Sequence, residues 1–134
     1  MPAFVKIASA LLLPLAFLTA PALADTCQDP QTTLAMRICA AEDYERADAD
    51  LNAAYKQARA AMKRLDRDLP TDLQGGAEAL LKAQRAWITF RDAACEAEGF
   101  LFRGGTFEPV IVLHCKAELT RQRSSQLQYL ADGL

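Results

Sequence analysis

Apolar residues recur at steps of three and four along the first long segment: Met36, Ala40, Tyr44, Ala47, Leu51, Tyr55, Ala58, Met62 and Leu65. That is the helical period, and it predicts one helix over about residues 33–69. Thr32 or Thr33 can cap its start, and Pro70 stops it. Thr71-Asp72 and Gly75-Gly76 mark a turn. A second helix is expected over about residues 77–98, with Leu80, Leu81, Gln84, Trp87, Ile88, Arg91, Ala94 and Cys95 on one side. Gly99 fits the left-handed position that ends a helix. A Phe-rich connection, Phe100-Leu101-Phe102, leads to Gly104-Gly105. Thr106 can cap a third helix with Pro109 in its first turn, carrying Val110, Leu113, Cys115, Leu119, Leu127 and Leu130. Nothing alternates with period two for long enough to suggest a sheet. The expected fold is all-α, an up-down-up antiparallel bundle of three helices with short connections.

The first hairpin can be tested for register. Placing Cys39 near Cys95 brings Asp48 near Arg91, Asn52 near Trp87 and Tyr55 near Gln84. Asp48 and Arg91 then form an ion pair, and Asn52 or Tyr55 can satisfy Gln84. Polar groups on inner stripes need such partners, because burying them unpaired is costly.

The first two dozen residues do not fit this pattern. Lys6 precedes an apolar run, Ile7 to Leu18, interrupted by Pro14, and Ala22-Leu23-Ala24 has the small-x-small form that signal peptidase reads. The run is too short to span a bilayer as a helix. Residues 1–24 are therefore expected to be a signal peptide, cleaved after Ala24, with residues 25–134 as one domain. The alternative is an uncleaved anchor. Cys27 follows Ala24-Asp25-Thr26, which lacks the small, apolar approach of a lipidated cysteine.

Fifteen Lys and Arg against seventeen Asp and Glu give a net charge of −2 with the single His neutral. Loss of the leader makes the domain slightly more acidic. No clustered basic stripe of the kind that tracks nucleic acid is present, and a mild negative charge suits a cationic partner. Four cysteines, Cys27, Cys39, Cys95 and Cys115, are an even set in a short exported chain and imply disulfides. Cys27–Cys39 with Cys95–Cys115 closes two short loops, each contributing ~3 kcal/mol in the chain-entropy model. Cys39–Cys95 with Cys27–Cys115 competes, since all four gather at one end of the bundle. A four-thiolate zinc site would need Cys-x-x-Cys pairs, which are lacking.

Candidate chemistry is sparse. His114 stands beside Cys115 at a helix start, where a lone histidine is ordinarily structural or surface. The pairs Asp48/Asp50 and Glu96/Glu98 have i, i+2 spacing, which points their carboxylates to different sides of a helix. The glycine pairs lack the flanks of a phosphate loop and read as turns. No metal or cofactor is expected, and no catalytic set. A cluster of carboxylates stands out instead: Glu42, Asp43 and Glu45 early in the first helix, Asp92, Glu96 and Glu98 late in the second. An antiparallel pair brings them to the cysteine end. They form either a solvated surface or an electrostatic landing patch for a basic protein. The set Asp48, Asn52, Gln84, Trp87 and Arg91 likewise either fixes helix register or lines a small ligand groove.

These pieces together resemble the LprI-like lysozyme-inhibitor family of exported bacterial domains. The resemblance rests on Met36 and Cys39-Ala40; on Ala47-Asp48, Leu51-Asn52 and Tyr55; on Gln84, Trp87-Ile88, Arg91-Asp92 and Cys95; on Gly104-Gly105-Thr106; and on Cys115 followed by Thr120 and Arg123. It covers nearly the whole domain. It implies a helical, disulfide-bonded protein in the periplasm or outside the cell, with no stable membrane insertion after leader cleavage. It also implies inhibition of a cationic lysozyme or a related cell-wall hydrolase. The competing expectation is a non-catalytic structural or interaction module of the bacterial envelope.

Overall fold

The structure is a computed structural model that describes residues 27–132. The expected leader and its cleavage site lie outside the described residues. Three helices make up the domain: α1 (Thr33–Asp68), α2 (Gly76–Gly99) and α3 (Glu108–Asp132). Short 3-10 turns at Thr71–Leu73 and Phe100–Phe102 occupy the two connections. The α1 segment holds no Gly or Pro and is rich in Ala, Leu and Arg, so nothing interrupts it over ~54 Å. The Thr32 side chain accepts a hydrogen bond from the Ala35 amide, capping its start.

The α2 start is capped from a distance. Gly75 has no side chain to offer, and the Asp66 carboxylate near the end of α1 accepts from the amides of Gly75, Gly76 and Ala77 at 2.9, 2.7 and 3.0 Å. Gly75 itself sits at φ 134°, which favours glycine. The three backbone hydrogen bonds hold the Asp66 carboxyl below its usual range. A group with a depressed folded pKa contributes stability above its unfolded value and loses it as pH falls through the folded one. Asp66→Asn should therefore melt below the wild type at neutral pH, and the gap should close as the pH drops below about 4. A gap that persists unchanged at low pH would show that charge on Asp66 is not what holds the corner.

The α1 and α2 helices run antiparallel, joined at one end by the Asp66 clamp and midway by Asp48 and Arg91. The α3 helix runs the same way as α1: the groove between them passes from Cys39 and Val110 to Gln57 and Gln128. The expected up-down-up, all-α bundle is the fold observed, with no strand among the described residues.

The most extensive packing is α1 on α3. It is built from small residues at heptad spacing, Ala40, Ala47 and Ala54 on α1 and Val110, Ala117 and Ser124 on α3, with Leu51, Ala58, Thr120 and Leu127 filling the alternate positions. Small side chains let two helix backbones approach closely, and an average 3.5-residue repeat keeps the seam in register. Larger apolar residues gather in the half away from the disulfides: Leu51, Leu80 and Leu127, with Tyr55, Met62, Trp87 and Leu130 against them. The other half is held by the cross-links Cys27–Cys39 and Cys95–Cys115. These are the two local loops; the competing Cys39–Cys95 pairing is not formed.

Three expectations fail in detail. Gly99 is not a left-handed terminus: at φ −59° it stays helical, and α2 runs directly into the Phe100–Phe102 turn. A glycine is needed there for space, since a Cβ would lie 2.6 Å from the Val112 Cγ2 on α3. The left-handed residue of this corner is Gly104, at φ 79°. Thr106 does not cap α3; the first turn closes through the Phe107 carbonyl, which accepts from Val110 and Ile111. Leu65 and Ile88, assigned to inner stripes, are exposed, and Ala54, Ala117, Thr120 and Ser124 are buried instead. Gly99→Ala should cost about 1–3 kcal/mol by overpacking, and Val112→Ala should recover part of it. Additive losses in the double variant, measured by denaturant melts, would refute close approach as the reason for this glycine.

Candidate functional site

The polar stripes of the hairpin converge on Arg91. Its side chain is 7% exposed and lies between α1 and α3. The guanidinium stacks between the rings of Tyr44 and Trp87, at 5.3 and 5.2 Å from their centroids, an arrangement that suits the flat, weakly hydrated guanidinium. Its Nη1 lies 3.5 Å from Asp48 Oδ1 and donates to the Thr120 hydroxyl at 3.4 Å. Its Nε and Nη2 both reach Asp92 Oδ1 at 3.0 Å. Lys116 approaches the same carboxylate at 3.2 Å. Burial alone would raise the Asp92 carboxyl, but hydrogen bonds from Arg91 and Lys116 override it and hold it low. Burial raises the Tyr44 phenol, against an opposing pull from Arg91.

The structure thus brings Asp48, Trp87 and Arg91 together, as the register argument expects, and adds Tyr44, Asp92, Lys116 and Thr120. Asn52 and Gln84 are placed differently. The Asn52 amide donates to Asp48 Oδ2 at 2.9 Å on its own helix and is exposed. Gln84 is not satisfied from α1: its Oε1 accepts from Arg123 Nε of α3 at 3.1 Å. A long guanidinium from the third helix reaches an amide that a two-helix register leaves to α1. The Tyr55 hydroxyl is left buried without a hydrogen-bond partner among the described residues. The groove over this region, about 310 Å³ and lined by Asp48, Asn52, Tyr55, Gln84 and Arg85, has most of its polar groups already engaged within the fold.

The six expected acidic residues separate into two groups. Asp43 is bound to Arg121 of α3 at 2.8 Å, with Arg46 at 3.7 Å, and the Arg121 hydrogen bond holds its carboxyl low. Asp92 belongs to the Arg91 centre. Glu42 has Arg46 at 4.0 Å across one helical turn. Glu45, Glu96 and Glu98 are exposed and make no ion pair among the described residues. His114 is exposed on α3, near Asp43. No group of three or more His, Cys, Asp or Glu that could hold a metal occurs among the described residues. No described helix is long and apolar enough to cross a membrane.

The disulfide end carries one further feature. The loop from Phe100 to Phe107 projects with Leu101 81% and Phe100 55% exposed. It is braced from within. Glu108 accepts from Arg103 Nη1 at 2.8 Å and from the Gly104 amide at 2.9 Å. Those bonds, the backbone one first, hold the Glu108 carboxyl low. The Phe102 carbonyl accepts from the Gly105 amide at 2.9 Å, and the Phe102 and Phe107 rings meet edge to face at 5.7 Å. The Arg103 guanidinium lies 4.4 Å over the Phe100 ring. The Cys95–Cys115 bridge ties the two helices from which the loop springs.

Comparison with known proteins places this architecture. The family described as lysozyme inhibitor LprI matches residues 24–127. The chain belongs to that family. It is also 44% identical over 122 residues to an uncharacterized protein of Rhizobium meliloti (strain 1021), a match that covers 86% of this chain and 88% of that one. No solved structure matches. The matched residues take in α1, α2, both disulfides, the Phe100–Phe107 loop and α3 as far as Leu127.

Proposed function

We propose that this protein is exported, loses residues 1–24, and inhibits a lysozyme or related cell-wall hydrolase by binding it. The observation that carries the reading is membership of an inhibitor family over nearly the whole domain. The two disulfides suit an oxidising, extracytoplasmic compartment, periplasmic or secreted. Glu45, Glu96 and Glu98 are exposed and make no ion pair among the described residues, which leaves them available to a partner.

Glu45, Glu96 and Glu98 are the groups that would attract a cationic hydrolase. Asp43 and Asp92 contribute little to such a field, because Arg121, Arg91 and Lys116 neutralise them. Exposed charges act mainly on encounter, and salt screens them within about 8 Å at physiological ionic strength. The test is lysis of a cell-wall suspension by a cationic lysozyme, with added exported protein, at several salt concentrations. Slowing that depends on dose and weakens with salt is expected. Replacing Glu96 and Glu98 by Gln should raise the inhibitory concentration a few-fold at low salt and leave the melting temperature unchanged. No slowing at low salt with the protein in excess would overturn the reading, and leave a non-inhibitory envelope module.

A further inference from the structure

Large apolar side chains rarely stay exposed without a purpose when they cluster on one rigid element. The Phe100–Phe107 loop is such an element. Leu101 and half of Phe100 stand in solvent, yet the backbone beneath them is fixed by the Glu108 clamp, the Phe102–Phe107 contact and the Cys95–Cys115 bridge. A loop ordered in advance meets the entropy cost of immobilisation on folding, so its contacts count more fully on binding. Its large exposed side chains are apolar apart from one cation. Arg103 is largely exposed, its guanidinium lies over the Phe100 ring, and only its Nη1 is hydrogen-bonded among the described residues.

The charge pattern around the tip has a definite complement. The tip carries Arg103, which shares its charge with Glu108, and it is flanked by the unpaired acidic residues Glu96 and Glu98 in the last turn of α2. The matching surface is positive at its rim, with a concave apolar floor and an acidic acceptor for the guanidinium edge of Arg103 that Glu108 leaves open. A cationic glycoside hydrolase has that pattern, because its sugar-binding cleft holds two carboxyl groups beside the scissile bond. Ligand clefts are concave and mostly apolar with few polar groups, which suits an inserted Phe and Leu.

We infer that the Phe100–Phe107 loop is the inhibitory element: Leu101 and Phe100 occupy the sugar-binding cleft of the hydrolase while Arg103 pairs with its carboxylates. This rests on the inhibitor reading above, and the experiment separates the two. Leu101→Asp places a carboxylate at the tip of an 81% exposed residue, where it can neither open a cavity nor bury a charge. Phe100→Ala and Arg103→Gln test the ring and the cation. Each variant is assayed for lysozyme inhibition, for its melting temperature and for sedimentation. With inhibition by the wild type established, Leu101→Asp should weaken it by at least about tenfold, the scale of a central anchor residue, with an unchanged melting temperature. Inhibition should also be competitive, and a soluble N-acetylglucosamine oligomer should displace the protein. If the wild type inhibits and all three variants inhibit equally well, the loop is not the inhibitory element, although the inhibitor reading stands. If the wild type sediments as a dimer that Leu101→Asp dissolves with inhibition intact, the loop is a self-association surface and the inference fails. A wild type that does not inhibit defeats both.

Discussion

Arg91→Ala should lower stability by about 3 kcal/mol, the lower edge of the range for breaking a buried pair by removing one partner. In a domain of this size that is a drop in melting temperature of more than about 10 °C. The estimate sits at the lower edge because the carboxylates left behind are wet: the Asp48 side chain is 41% exposed and that of Asp92 46%. Water can solvate them once the guanidinium is gone. What cannot be recovered is the packing of Tyr44 and Trp87 against the guanidinium, nor the partner of Thr120, which is fully buried. The reciprocal change should be mild. Asp48→Ala leaves Arg91 with Asp92 and Thr120, and should cost no more than about 1 kcal/mol. Denaturant melts of both variants check the asymmetry. Equal losses would mean that the Asp48–Arg91 pair, and not the stacked and buried guanidinium, supplies the stability. If Arg91→Ala melts like the wild type and loses inhibition, Arg91 belongs to the binding site and its structural assignment is wrong.

Removing Cys95–Cys115 by a double Ala substitution should cost about 3 kcal/mol or more. The bridge spans twenty residues, for which the chain-entropy model gives roughly 3 kcal/mol, and Cys95 is fully buried in the half of the bundle that has few large apolar residues. Removing Cys27–Cys39 should cost distinctly less. Its loop spans twelve residues, and the entropic term alone is nearly as large. But the lead-in it pins, residues 27–32, lies outside the three-helix seam and can fray in the folded state once released, which cancels much of that term. Thermal melts of the two double variants decide this. Equal losses would show that the lead-in is part of the cooperative core. If the Phe100–Phe107 loop also depends on the bridge, amide exchange in residues 100–107 should accelerate only in the Cys95/Cys115 variant.

The chain alone decided the elements. An uninterrupted 3.6-residue period, Pro70 and the two glycine pairs mark out three helices, because periodicity and helix breakers are local, whereas the cap of α2 comes from Asp66 on another helix. The convergence of Asp48 with Arg91 was also legible, since two antiparallel stripes joined by a short turn have little freedom to slip. The disulfides were legible only as two competing pairings, and the tertiary structure selects the local one.

Tertiary structure decided what the third helix does. Val110 and Leu127 of its expected inner face are buried, but Ala117, Thr120 and Ser124 join them in place of Leu113 and Leu119, because α1 offers a seam of alanines on which small residues let the two backbones close. That rotation sends Arg123 to Gln84 and Arg121 to Asp43, and so removes Asp43 from the acidic patch. The same close approach of α2 and α3 explains Gly99, whose sequence context looked like a helix end. The sequence marks the Phe100-Leu101-Phe102 stretch only as a Phe-rich connection. Hydrophobicity states only that a side chain would rather leave water. Whether it can depends on which neighbours the other helices place beside it, and at this corner Glu108, Gly104 and the Cys95–Cys115 bridge hold it out in solvent.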